Sequence, residues 1–291
     1  MDCRQAADIR WDQVCKQVSK VATLILMWIF VLLAVFNTAW AHAPAPAVGA
    51  KQVLEQSRRY QYQFRTGDAT VLAPWVAMLE EATKAEPGNA DLWYWQGYAY
   101  LALGAHSLMA QKPEDAMAAM KKGPAALMRA LKLNPDHAEA LSQLGGIQTL
   151  LGPVLQLPAM APRGVAQMNR AVELAPNSIR VRLMRAFAGP NLPPELRNTA
   201  NEAEDLDYLI EVAEWGTAGD YIRIMRGDLS FETGHPDLAR AMYRSVEGSG
   251  SGASMDAKAR LAALEKGSVP LADIKALRTS AGSQCAMCHV K

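Results

Sequence analysis

The residues with the clearest chemistry lie near the end of the sequence, where two cysteines and a histidine follow the pattern C-x-x-C-H. They are Cys285, Cys288 and His289. Two thiols and an imidazole at this spacing can form thioether bonds, ligate a metal or close a disulfide. The other two of the four cysteines, Cys3 and Cys15, lie at the opposite end of the chain. The motif is therefore the first candidate for a functional site.

C-x-x-C-H is the attachment signature of c-type haem. The thiols of Cys285 and Cys288 can add to the two vinyl groups on one edge of the porphyrin. The imidazole of His289 is then placed to be the proximal iron ligand. Covalent attachment also holds the cofactor without a deep pocket. The motif thus predicts one covalently bound haem c.

Three other uses of the same residues remain open. A structural zinc site normally takes four protein ligands, and no second cysteine pair lies near the motif. A redox dithiol of the thioredoxin kind would begin a helix after a strand, and the sequence predicts no strand. The third use is a simple disulfide in an exported protein, or a chance match. Haem is favoured because the chain also carries an export signal.

The motif does not define the sixth iron ligand. Only Val290 and Lys291 follow it in the sequence, so that ligand is expected from the preceding chain, or the iron stays five-coordinate. The candidates are His137 and His235. A haem motif in this position is similar to that of the class II cytochromes c, including the five-coordinate cytochromes c′. That similarity is limited to the motif.

The N-terminal segment has the composition of an export signal. Residues 21–36 read VATLILMWIFVLLAVF, carry no charge and follow two lysines. Small-x-small cleavage patterns occur within residues 39–43. We expect residues 1–41 to be a cleaved signal peptide. The alternative is a membrane anchor over residues 21–41, since about 20 apolar residues span a bilayer. Both interpretations predict a periplasmic protein, in the second case tethered to the inner membrane.

Composition places the chain among ordinary globular proteins. It has 291 residues, of which 50% are hydrophobic and 20% are charged. Its 30 basic and 29 acidic residues give a net charge of +1. A general nucleic-acid-binding surface is not indicated, because such domains usually carry a basic excess.

Between the two ends, apolar positions recur with a helical period, and three turns share the pattern x-P-[DGN]. These turns contain Pro87, Pro135 and Pro176. The segments before them are alike: MLEEATKAEP, LMRALKLNP and MNRAVELAP. Extended runs bounded by turn signals, as expected for strands, are missing. The sequence therefore predicts an all-α fold built from successive helices.

This pattern resembles the tetratricopeptide repeat (TPR), which places W-x2-L-G-x2-Y in its first helix and A-x3-F/Y, then Pro, in its second. The matching positions are Trp93, Gly97, Tyr100, Leu141, Leu144, Gly145, Gly227, Gly234, Ala239 and Tyr243. Gln96 and Gln148 replace consensus residues, and the unit around Ala186 matches weakly. The resemblance covers residues 51–266 and implies a solenoid of about four to five antiparallel helix pairs. A tail with the haem motif follows at residues 269–291.

Repeat spacing departs from the family. The turn prolines are 48 and 41 residues apart, against 34 residues in the standard repeat. The additional residues fall within 105–123 and 152–164. We expect the first insertion to lengthen helices. The second contains Pro153, Pro158 and Pro162 and is expected to be a loop. Its apolar side chains would cover their own repeat or form a docking surface.

In a TPR solenoid the first helices line a concave groove. The resemblance implies a mixed, partly aromatic lining, suited to an extended peptide or a flat apolar group. The lining residues are Tyr94, Tyr98, Leu101, Ser142, Thr149, Arg180, Leu183, Phe187, Tyr221 and Ile224. Trp93, Trp95 and Tyr100 are expected to pack in the core. Residues 256–267 are expected to form a capping helix that ends at a glycine.

Two functions agree with these features. The first is a periplasmic monohaem c-type cytochrome on a TPR scaffold, which transfers electrons and holds a redox partner protein or its own tail in the groove. The second is a peptide-binding assembly factor. The array resembles the periplasmic TPR domains of the cytochrome c maturation machinery, which bind C-terminal peptides of apocytochromes. No peroxidase pair or carboxylate dyad stands out, so no enzymatic activity is predicted.

Overall fold

The computed structural model describes residues 49–65, 67–212 and 217–266. Within these ranges all regular structure is helical, with eleven α-helices, two short 3-10 turns and no strand, which confirms the all-α prediction. The α-helices, numbered along the chain, are α1 (Ala50–Arg65), α2 (Leu72–Ala85), α3 (Ala90–Met109), α4 (Pro113–Leu133), α5 (Ala138–Val154), α6 (Met160–Leu174), α7 (Ile179–Ala188), α8 (Thr199–Val212), α9 (Thr217–Glu232), α10 (Pro236–Glu247) and α11 (Gly252–Glu265).

Helices α3 and α4 form an antiparallel pair that packs closely along its length. Gly97, early in α3, lies against Leu127, late in α4. Gly104, seven residues later, lies instead against Met120. Positions further along α3 therefore meet positions earlier in α4. Glycine at these points lets the two helix backbones approach, because a side chain there would meet the partner helix.

Helices α5 and α6 repeat this arrangement. The place where a Cβ atom of Gly145 would lie is 2.6 Å from the carbonyl oxygen of Gly164. Nearer the connection, Gly152 lies against Ala161. The pair is thus antiparallel, and its backbones approach closely where the middle of α5 meets the second turn of α6.

Contacts also connect helices outside these two pairs. Each helix packs against the next one, and further contacts join α1 with α3, α3 with α5, α5 with α7 and α9 with α11. These four pairs of alternate helices are therefore neighbours, in addition to the consecutive ones. Two large hydrophobic clusters result, one formed by α1 to α5 and the other by α7 to α11.

Three turns with the same hydrogen bond begin helices α3, α5 and α7. In each, the N–H of the fourth residue donates to the carbonyl of the first, and proline is second. The bonds run from Asn89 to Glu86 (3.1 Å), from His137 to Asn134 (3.1 Å) and from Ser178 to Ala175 (3.0 Å). The donor residue is then the N-cap of the following helix. The three predicted x-P turns are confirmed.

The two insertions are both accommodated mainly by longer helices. As expected, α3 and α4 absorb the first, with 20 and 21 residues. The prediction that the second insertion is a loop is wrong for most of its length. Helix α5 continues through Pro153, and α6 already contains Pro162. Pro162 is tolerated as the third residue of α6, where the backbone N–H has no partner within the helix. Pro153 lies in the last turn of α5, so only residues 155–159 connect the helices.

A final helix covers the end of the described array. The expected capping helix is present as α11, which begins at Gly252 and packs on α9 and α10. Asp228 of α9 accepts hydrogen bonds from Arg260 of α11 and from Tyr243 of α10. This buried ion pair and the tyrosine hydrogen bond connect α9, α10 and α11 to one another.

The described residues contain no helix that is long and apolar enough to cross a bilayer. The predicted signal or anchor at residues 1–41 and the predicted tail at residues 269–291 lie outside the described residues.

Candidate functional site

The predicted haem-binding residues Cys285, Cys288 and His289 lie outside the described part of the chain. Within that part, no group of three or more His, Cys, Asp or Glu side chains is arranged to hold a metal ion. The structure does describe both histidines predicted as sixth ligands and every residue predicted to line the groove.

His137 is buried at the start of α5, where its two ring nitrogens face different partners. Nδ1 accepts a hydrogen bond from the backbone N–H of Ala140 (3.3 Å), so the proton of the neutral ring is on Nε2. Nε2 lies 3.1 Å from Oδ1 of Asp91. The ring also packs 5.0 Å from that of Tyr94. Ligation of iron by His137 would require one of these contacts to be given up.

The contact between His137 and Asp91 makes part of the stability depend on pH. A hydrogen bond from the His137 imidazole holds the pKa of Asp91 below its ordinary value of 3.8, against the opposing effect of partial burial. A carboxyl group whose pKa is lowered by folding stabilises the fold above its unfolded pKa. That contribution is lost as the pH falls through the lowered value.

We expect Asp91→Asn to lower the free energy of unfolding at pH 7 by about 0.5–1 kcal/mol, because the carboxylate is largely exposed. The difference in unfolding free energy from the wild type should vanish in strong acid. Urea unfolding at pH 7 and in strong acid measures this difference under the two conditions. Asp115→Asn is the control, since Asp115 also lies in the first turn of a helix. A loss that stays constant with pH would contradict the assignment.

His235, the second predicted ligand, is exposed. It follows Gly234, whose φ of +80° begins the turn into α10, and its Nδ1 lies 3.2 Å from Oγ1 of Thr233. Of the two histidines it is the more accessible to a group that approaches from outside the array.

The predicted groove residues fall into two groups. Tyr94, Tyr98 and Leu101 belong to the hydrophobic cluster of α1 to α5, whereas Phe187 and Tyr221 belong to that of α7 to α11. All five side chains are buried. Arg180 is partly exposed and joins the first group. The structure thus brings together the tyrosines of α3 and the arginine of α7. That these residues line a groove stays a prediction.

Arg180 extends from the start of α7 to two helices that are distant in sequence. Its Nη2 donates to Oε1 of Gln61 on α1 at 2.9 Å. Nη1 lies 3.5 Å from the hydroxyl of Tyr94 on α3. The guanidinium carbon is 5.0 Å from the ring centroid of Trp95, a cation–π contact. Side chains from α1, α3 and α7 therefore meet at one point.

Aromatic rings surround this point. Trp75 of α2 lies 6.0 Å from Trp95 and 5.8 Å from Tyr98, and Tyr94 lies 5.5 Å from Trp95, between ring centroids. Tilted and edge-on contacts at these distances are favourable. We call the following residues the aromatic–arginine cluster: Gln61, Trp75, Tyr94, Trp95, Tyr98 and Arg180.

The cluster carries one positive charge at neutral pH. Burial raises the pKa of the Tyr94 phenol far above its ordinary value, so the phenol stays neutral. Burial opposes the charge of Arg180, but the phenols of Tyr94 and Tyr98 and the carboxylate of Glu139 hold its pKa above the ordinary value. The guanidinium is therefore a fixed cation among aromatic faces.

Two members of the cluster were not identified from the sequence. Gln61 lies on α1, before the first recognisable repeat, and Trp75 lies on α2, outside the positions of the repeat pattern. No local pattern marks either residue. Trp95 and Tyr100 are buried in the core, as predicted. Trp93 is less buried, and its indole N–H donates to the carbonyl of Pro87 at 3.0 Å.

No protein-family model matches the sequence, and a search of curated proteins found no match.

Proposed function

We propose that the protein is an exported monohaem c-type cytochrome whose haem-binding motif is attached to a TPR-like helical solenoid. The observation that carries the proposal is the C-x-x-C-H motif of residues 285–289. Its two cysteines are the only ones in the sequence beyond residues 1–41, so attachment of one haem would use every thiol of the exported chain.

The donor set of the motif suits haem c. Cys285 and Cys288 supply the two thiols for thioether bonds, and His289 supplies a neutral imidazole for the iron. The bound haem would supply an iron that cycles between Fe(II) and Fe(III). The role of the protein is to hold that group and to limit its access to water. A sixth ligand from the array, for which His137 and the more exposed His235 are the candidates, would close the iron to other molecules.

The TPR-like part of the proposal is supported by the packing of the described helices. Gly97 and Gly145, on the glycine position of the repeat pattern, both lie against the partner helix of their own pair. Gly227 does the same against Tyr243. The three proline turns connect one pair to the next with the same hydrogen bond. Four pairs of alternate helices are neighbours (α1 with α3, α3 with α5, α5 with α7, and α9 with α11), as stacking of repeats would require.

The test is a haem stain of the denatured protein, together with a pyridine haemochrome spectrum. The protein should be produced in an export-competent host with an active haem-ligation system. We expect one haem per chain, retained after denaturation. The double variant Cys285→Ala/Cys288→Ala should lose all covalent haem, while its far-ultraviolet circular dichroism stays that of a helical protein.

Met287→Leu is the matched control, because it changes the motif without removing a thiol or the imidazole. It should retain haem at the wild-type level. Exported, soluble wild-type protein without covalent haem would overturn the proposal and leave the two cysteines as a disulfide.

The second candidate function is a haem-free scaffold that binds peptides. It is favoured by the convergence of aromatic and polar side chains from α1, α3 and α7 on one point of the array. A scaffold of this kind would bind C-terminal peptides of apocytochromes equally well with and without haem. A cytochrome would instead be isolated with haem and titrate with one defined reduction potential.

A further inference from the structure

We propose that α1 is a detachable strap on a surface of α2 and α3, and that this surface binds an amphipathic helix of a partner protein when α1 is released. Release means that α1 leaves the array as a unit while the other described helices keep their packing. The proposal does not depend on haem. It deepens the second candidate function, because it gives a peptide-binding scaffold a surface and an internal competitor for that surface.

Helix α1 is held by little buried apolar surface. Of residues 50–64, only Ser57, Gln61 and Phe64 are buried, and two of these three are polar. Their spacing of four and then three residues places them on one face of the helix. The other apolar side chains of α1 that pack against the core are only partly buried. Because hydrophobic stabilisation grows with the apolar area removed from water, Phe64 is the main anchor of α1.

The two polar residues on this face add little to the attachment. The hydroxyl of Ser57 donates to a carbonyl of its own helix at 2.8 Å, so this donor does not connect α1 to another helix. Gln61 does reach α7, since its Oε1 accepts from Arg180 at 2.9 Å. Its Nε2, however, is buried and donates to no acceptor among the described residues. Release of α1 would hydrate Nε2, which offsets part of the cost of breaking the bond to Arg180.

Glycines with positive φ flank α1 on both sides. Gly49 precedes the helix with a φ of +138°, and Gly67 follows it with a φ of +104°. Apart from the adjoining residues, no described atom lies within 4 Å of the place where a Cβ atom of either glycine would lie. Glycine adopts positive and negative φ about equally readily. The backbone can therefore rotate at both ends of α1 without a clash against packed neighbours, as a hinged segment requires.

Release of α1 would uncover an aromatic surface. Helix α1 packs on α2 and α3, and Phe64 belongs to the same hydrophobic cluster as Trp75, Trp95 and Tyr98. Large exposed apolar patches typically mark interaction sites. A partner helix that replaces α1 must reproduce its inward face. The partner is therefore a largely polar helix with one aromatic side chain and an amide side chain three residues before it.

Hydrogen exchange of the full-length protein, followed by mass spectrometry, tests the release of α1. We expect peptides from α1 to exchange at least about a hundredfold faster than peptides from α3, at urea concentrations well below global unfolding. Helix α11 is the control at the other end of the described array, because the buried ion pair of Arg260 and Asp228 anchors it. Its peptides should exchange as slowly as those of α9. Equal rates in α1 and α3, or an α11 as fast as α1, would overturn the proposal.

Phe64→Ala tests the anchor in the same measurement. Loss of the buried aromatic side chain should accelerate exchange in α1 at least about tenfold, while α5 and α6 keep their wild-type rates. Tyr62→Ala is the matched control, because it removes an aromatic side chain of the same helix at a residue that is 54% exposed. It should leave exchange in α1 close to the wild-type rate. If Phe64→Ala accelerates α3 and α4 as much as α1, then α1 belongs to the cooperative core and is not a strap.

A fluorescently labelled peptide of residues 49–65 tests whether the uncovered surface binds a helix from another molecule. Its anisotropy is measured as full-length wild type or full-length Phe64→Ala is added. We expect at least about tenfold tighter binding to Phe64→Ala, because apparent affinity falls with the fraction of protein in the closed form. The same peptide carrying Phe64→Ala should not bind. Equal binding of the two proteins, or of the two peptides, would contradict the proposal. None of these measurements requires haem, so a haem-free protein that passes them keeps the strap without the cytochrome.

Discussion

Replacement of Asp228 by alanine is expected to lower the free energy of unfolding by about 3–5 kcal/mol. The Asp228 carboxylate accepts bonds from Nε and Nη2 of Arg260 at 2.7 and 3.0 Å, and from the Tyr243 hydroxyl at 2.7 Å. All three residues are at most 1% exposed. Removal of the acceptor would leave a cation and a phenol buried without it. Because the groups belong to α9, α10 and α11, these three helices should loosen together.

Asp207 provides the matched control for this prediction. It accepts from Nε and Nη2 of Arg226 at 2.7 and 3.1 Å, which is nearly the same geometry, but its side chain is 54% exposed. Exposed ion pairs contribute about 0–1 kcal/mol, so Asp207→Ala should have a small effect. Urea denaturation of both variants gives the comparison. Equal losses would mean that burial of the Asp228 pair does not determine its contribution.

The helical architecture was predictable because its signals are local. The x-P turns at Pro87, Pro135 and Pro176 are encoded by neighbouring residues, and each begins a helix where expected. The capping helix was also recognisable from its own apolar period. The extent of α5 and α6 was not, since prolines near helix ends can lie inside or outside the helix. Packing against the partner helix decides which occurs.

The two candidate sites also differ in whether their residues are close together in the sequence. The haem motif is five consecutive residues and can be identified without a fold. The aromatic–arginine cluster joins Arg180 to Gln61, 119 residues away, and to Tyr94, 86 residues away. A local sequence pattern cannot predict contacts between residues that are so far apart in the sequence. Repeat geometry predicted that Tyr94 and Arg180 lie on related helices, but Gln61 lies before the first recognised repeat.

Gly164→Ala is expected to lower the free energy of unfolding by about 1–3 kcal/mol, although alanine is the better helix former by about 1 kcal/mol. A Cβ atom at this position would meet the carbonyl oxygen of Gly145 well inside van der Waals distance. It would also lie 3.0 Å from the backbone nitrogen of Thr149. Both obstacles are backbone atoms of α5, which cannot rotate away. Helices α5 and α6 would have to separate along their contact.

Gly104→Ala isolates the role of the backbone in this clash. Gly104 also lies within a helix, so the gain in helix propensity is the same. Its Cβ would lie 2.9 Å from Cγ of Met120, a side-chain atom that can shift by rotation about the Cα–Cβ bond. The nearest backbone atom of α4 is the Ala116 oxygen, at 3.3 Å. We expect Gly104→Ala to stay within about 1 kcal/mol of the wild type in urea denaturation. A loss as large as that of Gly164→Ala would show that any added methyl group separates these helices, whether it meets backbone or side chain.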